Sequence, residues 1–287
     1  MKNSFIRNII RRRNSACVFL FVLLSICAAG CAKTIDATSN KTSSAKSVKS
    51  VALPKVTVDK FWANAKKEVD KSVMEMTAQD QAEIEKGLNL HKFMRGDISK
   101  KQVAITFDDG PHPAYTPKLL DILKNNGAKA TFFLVGEMAE KAPDLVKREI
   151  AEGHNVGNHT YHHVNLTKIP NESVAVEIKA CGKVLQSITG KTPHLFRPPG
   201  GDYDKDVAEM AAALGYTMIL WTDDPGDYAS PGAKVIETRL LDRINNGGII
   251  LIHDGVQETV DILPQLLKYL KDKGFETVTI DEMMSGK

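Results

Sequence analysis

From residue 101 onward the chain repeats one pattern: a short apolar run, a polar break, then apolar positions three and four apart. The runs at 103–107, 130–135, 156–159, 195–196, 217–221, 249–253 and 277–280 predict strands. The stretches between them predict helices, among them 116–125, 142–152 and 256–273. Gly127, Gly153 and Gly274 follow these three, where a helix C-terminus favours a residue free to take positive φ. Strands and helices in alternation build a parallel sheet. About seven such units over about 185 residues predict an α/β fold, a distorted (β/α) barrel rather than an open sheet. A dinucleotide-binding fold is disfavoured because no run is followed by Gly-x-Gly-x-x-Gly.

Ahead of this domain the pattern changes. Phe61, Ala65, Val69, Val73 and Met76 recur at helical spacing, and Ile84, Leu88 and Phe93 follow after a break near Thr77. They predict a short helical lead-in over 55–100 that packs on the main domain, a structural role without chemistry. Residues 32–54 are dominated by Ser, Thr, Lys, Asn and Ala, too few apolar positions to order a segment, and predict a flexible tether. Residues 1–31 open with Lys2, Arg7, Arg11, Arg12 and Arg13, continue through a 14-residue apolar run at 16–29, and end in Ala28-Ala29-Gly30-Cys31. A helix needs about 20 residues to cross a bilayer, so this reads as an export signal. Its end resembles the bacterial lipobox, with Ala28 where leucine is commonest, which predicts lipidation at Cys31 and a lipid anchor in the cell envelope.

That division changes the reading of charge and cysteine. The formal +3 of the whole chain falls to 33 basic against 35 acidic residues once the basic leader is set aside, and nothing in that balance suggests nucleic acid. Cys17 and Cys27 leave with the signal and Cys31 carries lipid, so Cys181 stands alone. The mature chain is expected to hold its core together without a disulfide, despite an export route that permits one.

The polar clusters all fall at the C-terminal ends of predicted strands. Asp108-Asp109 follow the first, His159 to His163 the third, Arg197-Pro-Pro-Gly-Gly the fourth, Asp223-Asp224-Pro-Gly-Asp227-Tyr228 the fifth, and His253-Asp254 the sixth. In a parallel barrel these ends share one face, where loops build the active site. His159 and His163, four apart, suit one metal, although His162 at a spacing of three fits a turn as well. A carboxylate from Asp108 or Asp109 would complete a two-His-one-carboxylate set with positions left open, the form of a catalytic rather than a structural site. His253 is read as an acid–base group beside Asp254. Arg197, stiffened by the prolines after it, is read as orienting a catalytic carboxylate through a bidentate pair. One of Asp223, Asp224 and Asp227 is expected to matter. Tyr203, Tyr228 and Trp221 could present a ring face for stacking or pack the barrel, Trp221 preferentially the latter.

Five motifs, "TFDDG", "HTYHH", "RPPGG", "DPGDY" and "LIHD", stand in one order, and residues 101–282 resemble the NodB-homology domain of polysaccharide deacetylases, carbohydrate esterase family 4. The resemblance implies a distorted (β/α) barrel, a divalent metal, usually zinc with cobalt, nickel or manganese as alternatives, and hydrolysis of N-acetyl groups on an amino-sugar polymer. It assigns Asp108 as general base, Asp109, His159 and His163 as metal ligands, Arg197 as the holder of the base, His253 as general acid and Asp227 as the carboxylate that tunes it. His162 becomes a bystander, the Gly200 amide helps bind an oxyanion, and Tyr228 lines the sugar groove. The family often has an aromatic residue at Gly200 and Trp at Tyr228, departures that bear on substrate choice. The expected partners are an N-acetylated envelope polysaccharide, peptidoglycan first and chitin oligomers or poly-N-acetylglucosamine next, and the membrane through the lipid; no protein partner is implied. A catalytically silent glycan-binding module and an amidase using the same metal site are the competing readings.

Overall fold

The computed structural model describes residues 70–286. The export signal, Cys31, the tether and the first part of the lead-in, including Phe61, Ala65 and Val69, lie outside the described residues. Among the described residues eight parallel strands form one curled sheet: β1 (Lys92–Phe93), β2 (Gln102–Asp108), β3 (Thr131–Leu134), β4 (Asn155–Asn158), β5 (Leu195–Phe196), β6 (Thr217–Ile219), β7 (Gly248–His253) and β8 (Glu276–Thr277). Their order is β1-β6-β5-β4-β3-β2-β7, with β8 paired to the start of β2. The edge between β6 and β7 is partly bridged: Asp223 pairs with Ile250 just beyond β6, and the Leu251 amide donates to the Asp223 carbonyl at 2.8 Å. A distorted barrel follows, as the strand–helix alternation predicts.

Alternation along the central strands sets two layers, because successive side chains of a strand point to opposite faces. Val103, Ile105 and Phe107 of β2, with Ile250 and Ile252 of β7, pack outward on α2 (Thr116–Asn125) and α8 (Gln257–Asp272) through Leu119, Leu123, Leu263 and Leu270. Ala104, Ile249 and Leu251 face the other way, into a second cluster with Phe133, Phe196 and Trp221. Thr106 and Asp108 share the face of Ala104, so the strand that supplies the outer core also aims its last acid inward. Fully burying a side chain of this size contributes about 1.5–3 kcal/mol, and the residues of β2 from Val103 to Phe107 are all fully buried. The pairing of this strand is therefore heavily anchored.

The predicted helices stand nearly where expected, with α4 (Pro143–Ala151) between α3 (Gly136–Lys141) and β4, and α5 (Asn171–Thr189), α6 (Lys205–Ala213) and α7 (Ala233–Arg243) completing the outer layer. Three expectations are corrected. The lead-in has no break at Thr77: α1 (Val73–Glu85) runs through it, starting at a Ser72–Glu75 capping box, with the Thr77 hydroxyl donating to the Val73 carbonyl at 2.7 Å. Phe93 is not helical but belongs to β1, which adds a strand to the sheet beside β6. The run 277–280 is strand only to Thr277, because Thr279 and Glu282 form a capping box that opens α9 (Ile280–Met284). Cys181 is a buried core residue whose thiol is pushed up to about 12 by burial. Among the described residues no helix is long and apolar enough to cross a membrane.

Candidate active site

The register of β2 and β7 places Asp108 directly beside His253. Residues 145 apart in sequence thus become neighbours at the C-terminal edge of the sheet. Arg197, after β5, enters the barrel interior and is fully buried. Its Nη1 donates to Asp108 Oδ1 at 2.6 Å and to Thr106 Oγ1 at 2.8 Å, and its Nε to the Ile219 carbonyl at 3.1 Å. The guanidinium also lies over the Phe133 ring, 4.1 Å from its centroid. The arginine does hold Asp108, but through one nitrogen rather than the bidentate pair expected: Nη1 is shared between Asp108 and Thr106, Nε turns to the Ile219 carbonyl, and Nη2 has no hydrogen-bond partner among the described residues. Burial raises the Asp108 carboxyl to about 6, against the opposing pull of Arg197 and His253.

Asp109 leaves the strand with φ 73°, a left-handed conformation that Thr160 and His163 share at 64° and 55°. The turn brings Asp109 Oδ1 to 3.1 Å from His163 Nε2 and 3.6 Å from His159 Nε2. That oxygen is buried between the two imidazoles. The three ligand atoms of Asp109, His159 and His163 lie within 4.8 Å of one another. His159 Nδ1 donates to the Arg197 carbonyl at 2.8 Å, which leaves its Nε2 lone pair facing the group; burial holds this imidazole well below its usual range and hence neutral. Burial pushes the Asp109 carboxyl up, but the charge and hydrogen bond of His163 outweigh it and hold it well below the carboxylate range. Two buried imidazoles, one of them held neutral, and a buried ionised carboxylate converging on one point are the donor set a borderline divalent cation takes, so the residues fit the metal.

On the opposite side Asp227 organises His253. Asp227 Oδ1 accepts from His253 Nδ1 at 2.8 Å, and Oδ2 from the His253 amide at 2.7 Å and from Thr259 Oγ1 at 2.5 Å. Burial opposes the charged imidazole, yet the Asp227 carboxylate outweighs it and holds His253 well above its usual range. The Tyr228 ring meets the His253 ring edge to face, with centroids 5.5 Å apart.

A sequence profile described as polysaccharide deacetylase matches residues 95–219. A peptidoglycan-N-acetylglucosamine deacetylase of Bacillus cereus is 39% identical over 194 residues, covering 66% of this chain and 91% of the relative. The chain belongs to the polysaccharide deacetylase family. A peptidoglycan-N-acetylmuramic acid deacetylase of Bacillus subtilis, PdaC, is 32% identical over 76% of this chain and 46% of its own length. A crystal structure of the Bc1960 peptidoglycan N-acetylglucosamine deacetylase superposes with TM-score 0.67 at 36% identity, over 70% of this chain and 95% of that one. A structure of BA3943, described as a CE4 family pseudoenzyme from Bacillus anthracis, superposes with TM-score 0.65 at 28% identity, over 69% and 70%.

Within this deacetylase fold, residues that sequence could not rank find clear places. His162 turns from the metal group, its Nδ1 2.8 Å from Glu177 Oε1, while Glu177 Oε2 accepts from the Tyr161 and His162 amides and so braces the histidine loop. His112 Nδ1 accepts from the Ala114 amide at 3.0 Å, in the turn after the acid pair. Tyr203 is buried, its hydroxyl 3.1 Å from Lys92 Nζ, and with Trp221 it is packing rather than a sugar platform. Asp224 caps its turn by accepting from the Gly226 amide at 2.7 Å. Asp223, raised to about 7 by burial, sits at the bridge to β7. Gly200, at φ 64°, offers its carbonyl to the Lys71 amide at 2.9 Å. Sequence reasoning missed Thr106 and Thr259, which satisfy Arg197 and Asp227, and Asp70, which reaches His253 from the lead-in. A single Asp ahead of an amphipathic helix carries no signal for that reach.

Proposed function

We propose that this protein is a metal-dependent N-deacetylase of an amino-sugar polymer of the cell envelope, peptidoglycan before chitin oligomers or poly-N-acetylglucosamine. The observation that carries the reading is the β2–β7 register, which sets Asp108 beside His253 with the Asp109–His159–His163 group adjoining. Asp109, His159 and His163 would hold the cation, zinc by the donor set, and the cation supplies Lewis acidity toward the acetyl carbonyl and the hydrolytic water. Asp108, kept in place by Arg197 and raised by burial, accepts the proton of the attacking water as its oxygen bonds to the acetyl carbon. The Gly200 N–H donates to the oxyanion that develops there. His253, charged under the influence of Asp227, passes its proton to the nitrogen as the C–N bond breaks, leaving acetate and a free amine. Tyr228 walls the groove next to that histidine.

Two acids side by side with opposite pKa displacements support this division of labour. Asp109 stays ionised, while Asp108 can cycle a proton near neutrality. A silent glycan binder has no chemical use for that asymmetry, and the full set of ionisable groups distinguishes the chain from one that has lost its chemistry. Cys31, following an export signal at 1–31 and linked through the tether at 32–54, is proposed as the site of a lipid anchor that holds the domain (101–282) and its lead-in (55–100) against the wall. Acetate release from N-acetylglucosamine oligomers, abolished by chelation and restored by zinc or cobalt, is the expected result. Metal-independent release, or an Asp108→Asn variant of undiminished activity, would sink the mechanism.

A further inference from the structure

The residues just ahead of α1 cross the mouth of the site. The Asp70 side chain is nine-tenths buried, and its Oδ2 pairs with His253 Nε2 at 3.4 Å. The Asp70 amide donates to the Tyr228 hydroxyl, and the Lys71 amide donates to the Gly200 carbonyl at 2.9 Å. Lys71 Nζ ties the same segment to the barrel by an ion pair with Asp202 at 3.4 Å and to α1 by a bond to Gln79 Oε1 at 2.6 Å. His253, Tyr228 and Gly200 are the positions that the deacetylase reading gives to the substrate, as acid, groove wall and oxyanion donor. Two consecutive residues of the lead-in engage all three.

Asp227 takes the Nδ1 side of His253 at 2.8 Å, so the proton that the charged imidazole can give away is the one on Nε2, which Asp70 faces. A proton donor must come within about 2.6–3.2 Å of the atom it protonates. A hydrogen bond is close to linear, so one N–H serves one acceptor well, and the Asp70 carboxylate holds the direction that the departing nitrogen needs. It is also the stronger partner, a carboxylate against a cation rather than a neutral nitrogen. The acid half of the site is therefore closed in this structure. What closes it is polar and local: two backbone hydrogen bonds and two ion pairs, with the side chains of Lys71 and Asp202 24% and 32% exposed. Contacts of this kind open without global unfolding. The helix behind them is anchored, with Met76 fully buried and the Ser72–Glu75 capping box fixing its start, so the pivot falls at Ser72.

We propose that residues 70–71 are an autoinhibitory strap: Asp70 caps the proton-donating nitrogen of His253, and the segment lifts away from the barrel, pivoting at Ser72, before a glycan nitrogen takes that place. The proposal rests on the deacetylase reading above and adds a closed resting state to it. Strap and substrate then compete for one position. The apparent affinity for substrate is lowered by the fraction of molecules that are open, whereas kcat, reached with the strap already displaced, is not.

The test uses the zinc-loaded full chain, with metal content verified, on an N-acetylglucosamine tetramer. Asp70→Ala removes the cap, and Lys71→Met unties the segment from Asp202 without touching His253. Asp70→Ala is expected to lower KM about tenfold with kcat within about twofold of wild type, the factor of one lost charged hydrogen bond. Lys71→Met is expected to lower KM about two- to fivefold, because a partly exposed pair contributes less. A folded Asp70→Ala protein with KM unchanged or raised would overturn the proposal, and so would a tenfold fall in its kcat, which would make Asp70 a positioning residue for His253. Hydrogen exchange at the Lys71 amide gives a readout free of turnover. In the slow Asp108→Asn protein, saturating tetramer is expected to abolish the protection that the Gly200 carbonyl confers, and protection kept at saturation would overturn the strap. Acetate released by wild type and both variants at one KM removes this proposal alone. No acetate from any of the three removes the deacetylase reading, and exchange at Lys71 with the tetramer then decides the strap by itself.

Discussion

Replacing Asp227 with Asn probes the acid half of the site while keeping its shape. The carboxylate meets three donors, His253 Nδ1 at 2.8 Å, the His253 amide at 2.7 Å and Thr259 Oγ1 at 2.5 Å. Asn offers one oxygen where two are in use, so its amide nitrogen must oppose an N–H or a hydroxyl. The larger loss is charge. Two unit charges about 4 Å apart interact by about 4 kcal/mol at an effective dielectric near 20, so the loss bears chiefly on the charged imidazole. Asp227 raises His253, and the proton-donating form is populated below that raised value. Its removal should therefore move the alkaline limb of the kcat profile to lower pH and lower kcat above neutrality by about 10²-fold or more. The same raised histidine stabilises the fold fully below its unfolded pKa of about 6.5 and ceases to do so as pH rises through the folded value. The variant's stability deficit should thus be largest in acid. Acetate release followed from about pH 5 to 10, with melting curves at both ends, measures both effects. A folded variant whose alkaline limb stays in place would refute the assignment of His253 as the acid tuned by Asp227.

Asp109→Ala and His163→Ala should each weaken zinc binding by at least about 100-fold, read by calorimetry on the apo protein, and an affinity unchanged from the wild type would place the metal elsewhere. Arg197→Lys should lose the bonds to Ile219 and Thr106 and leave Asp108 poorly paired in the barrel interior, costing about 3–5 kcal/mol in urea unfolding and most of the activity. Gly201→Ala should be destabilising by about 1–3 kcal/mol, because its φ is 64° and a Cβ there would come within 2.5 Å of the Trp221 ring. Gly190→Ala, at φ 71° with nothing within 4 Å, should cost only the backbone strain, about 1 kcal/mol. Equal melting temperatures for these two glycine variants would show that the Trp221 contact exerts no constraint.

Much of the site could be read along the chain because a parallel barrel collects strand ends on one face. Each motif adjoins an apolar run that announces its strand, so the chain alone places Asp108, His159, Arg197 and His253 on one rim. Local chemistry also marked the helix ends at Gly127, Gly153 and Gly274. Where two local signals competed, the reading slipped: Thr279 and Glu282 cap a helix that overrides an apolar run, and Thr77 bonds back to Val73 instead of breaking α1.

The order of residues by itself determined the alternation, the face that bears the chemistry and the types of group available, since periodicity and strand-end position are local properties of a chain. Which atoms meet is not local. The register of β2 on β7 decided that Asp108 adjoins His253, and the left-handed turn at Asp109 decided which of two adjacent acids joins the imidazoles. Packing inside the barrel decided that Arg197 grips Asp108 with one nitrogen, Nη1, while its Nε turns to the Ile219 carbonyl. The lead-in, read as packing alone, supplied both a strand and Asp70, since a contact across 183 positions depends on where two elements cross and leaves no trace in either segment.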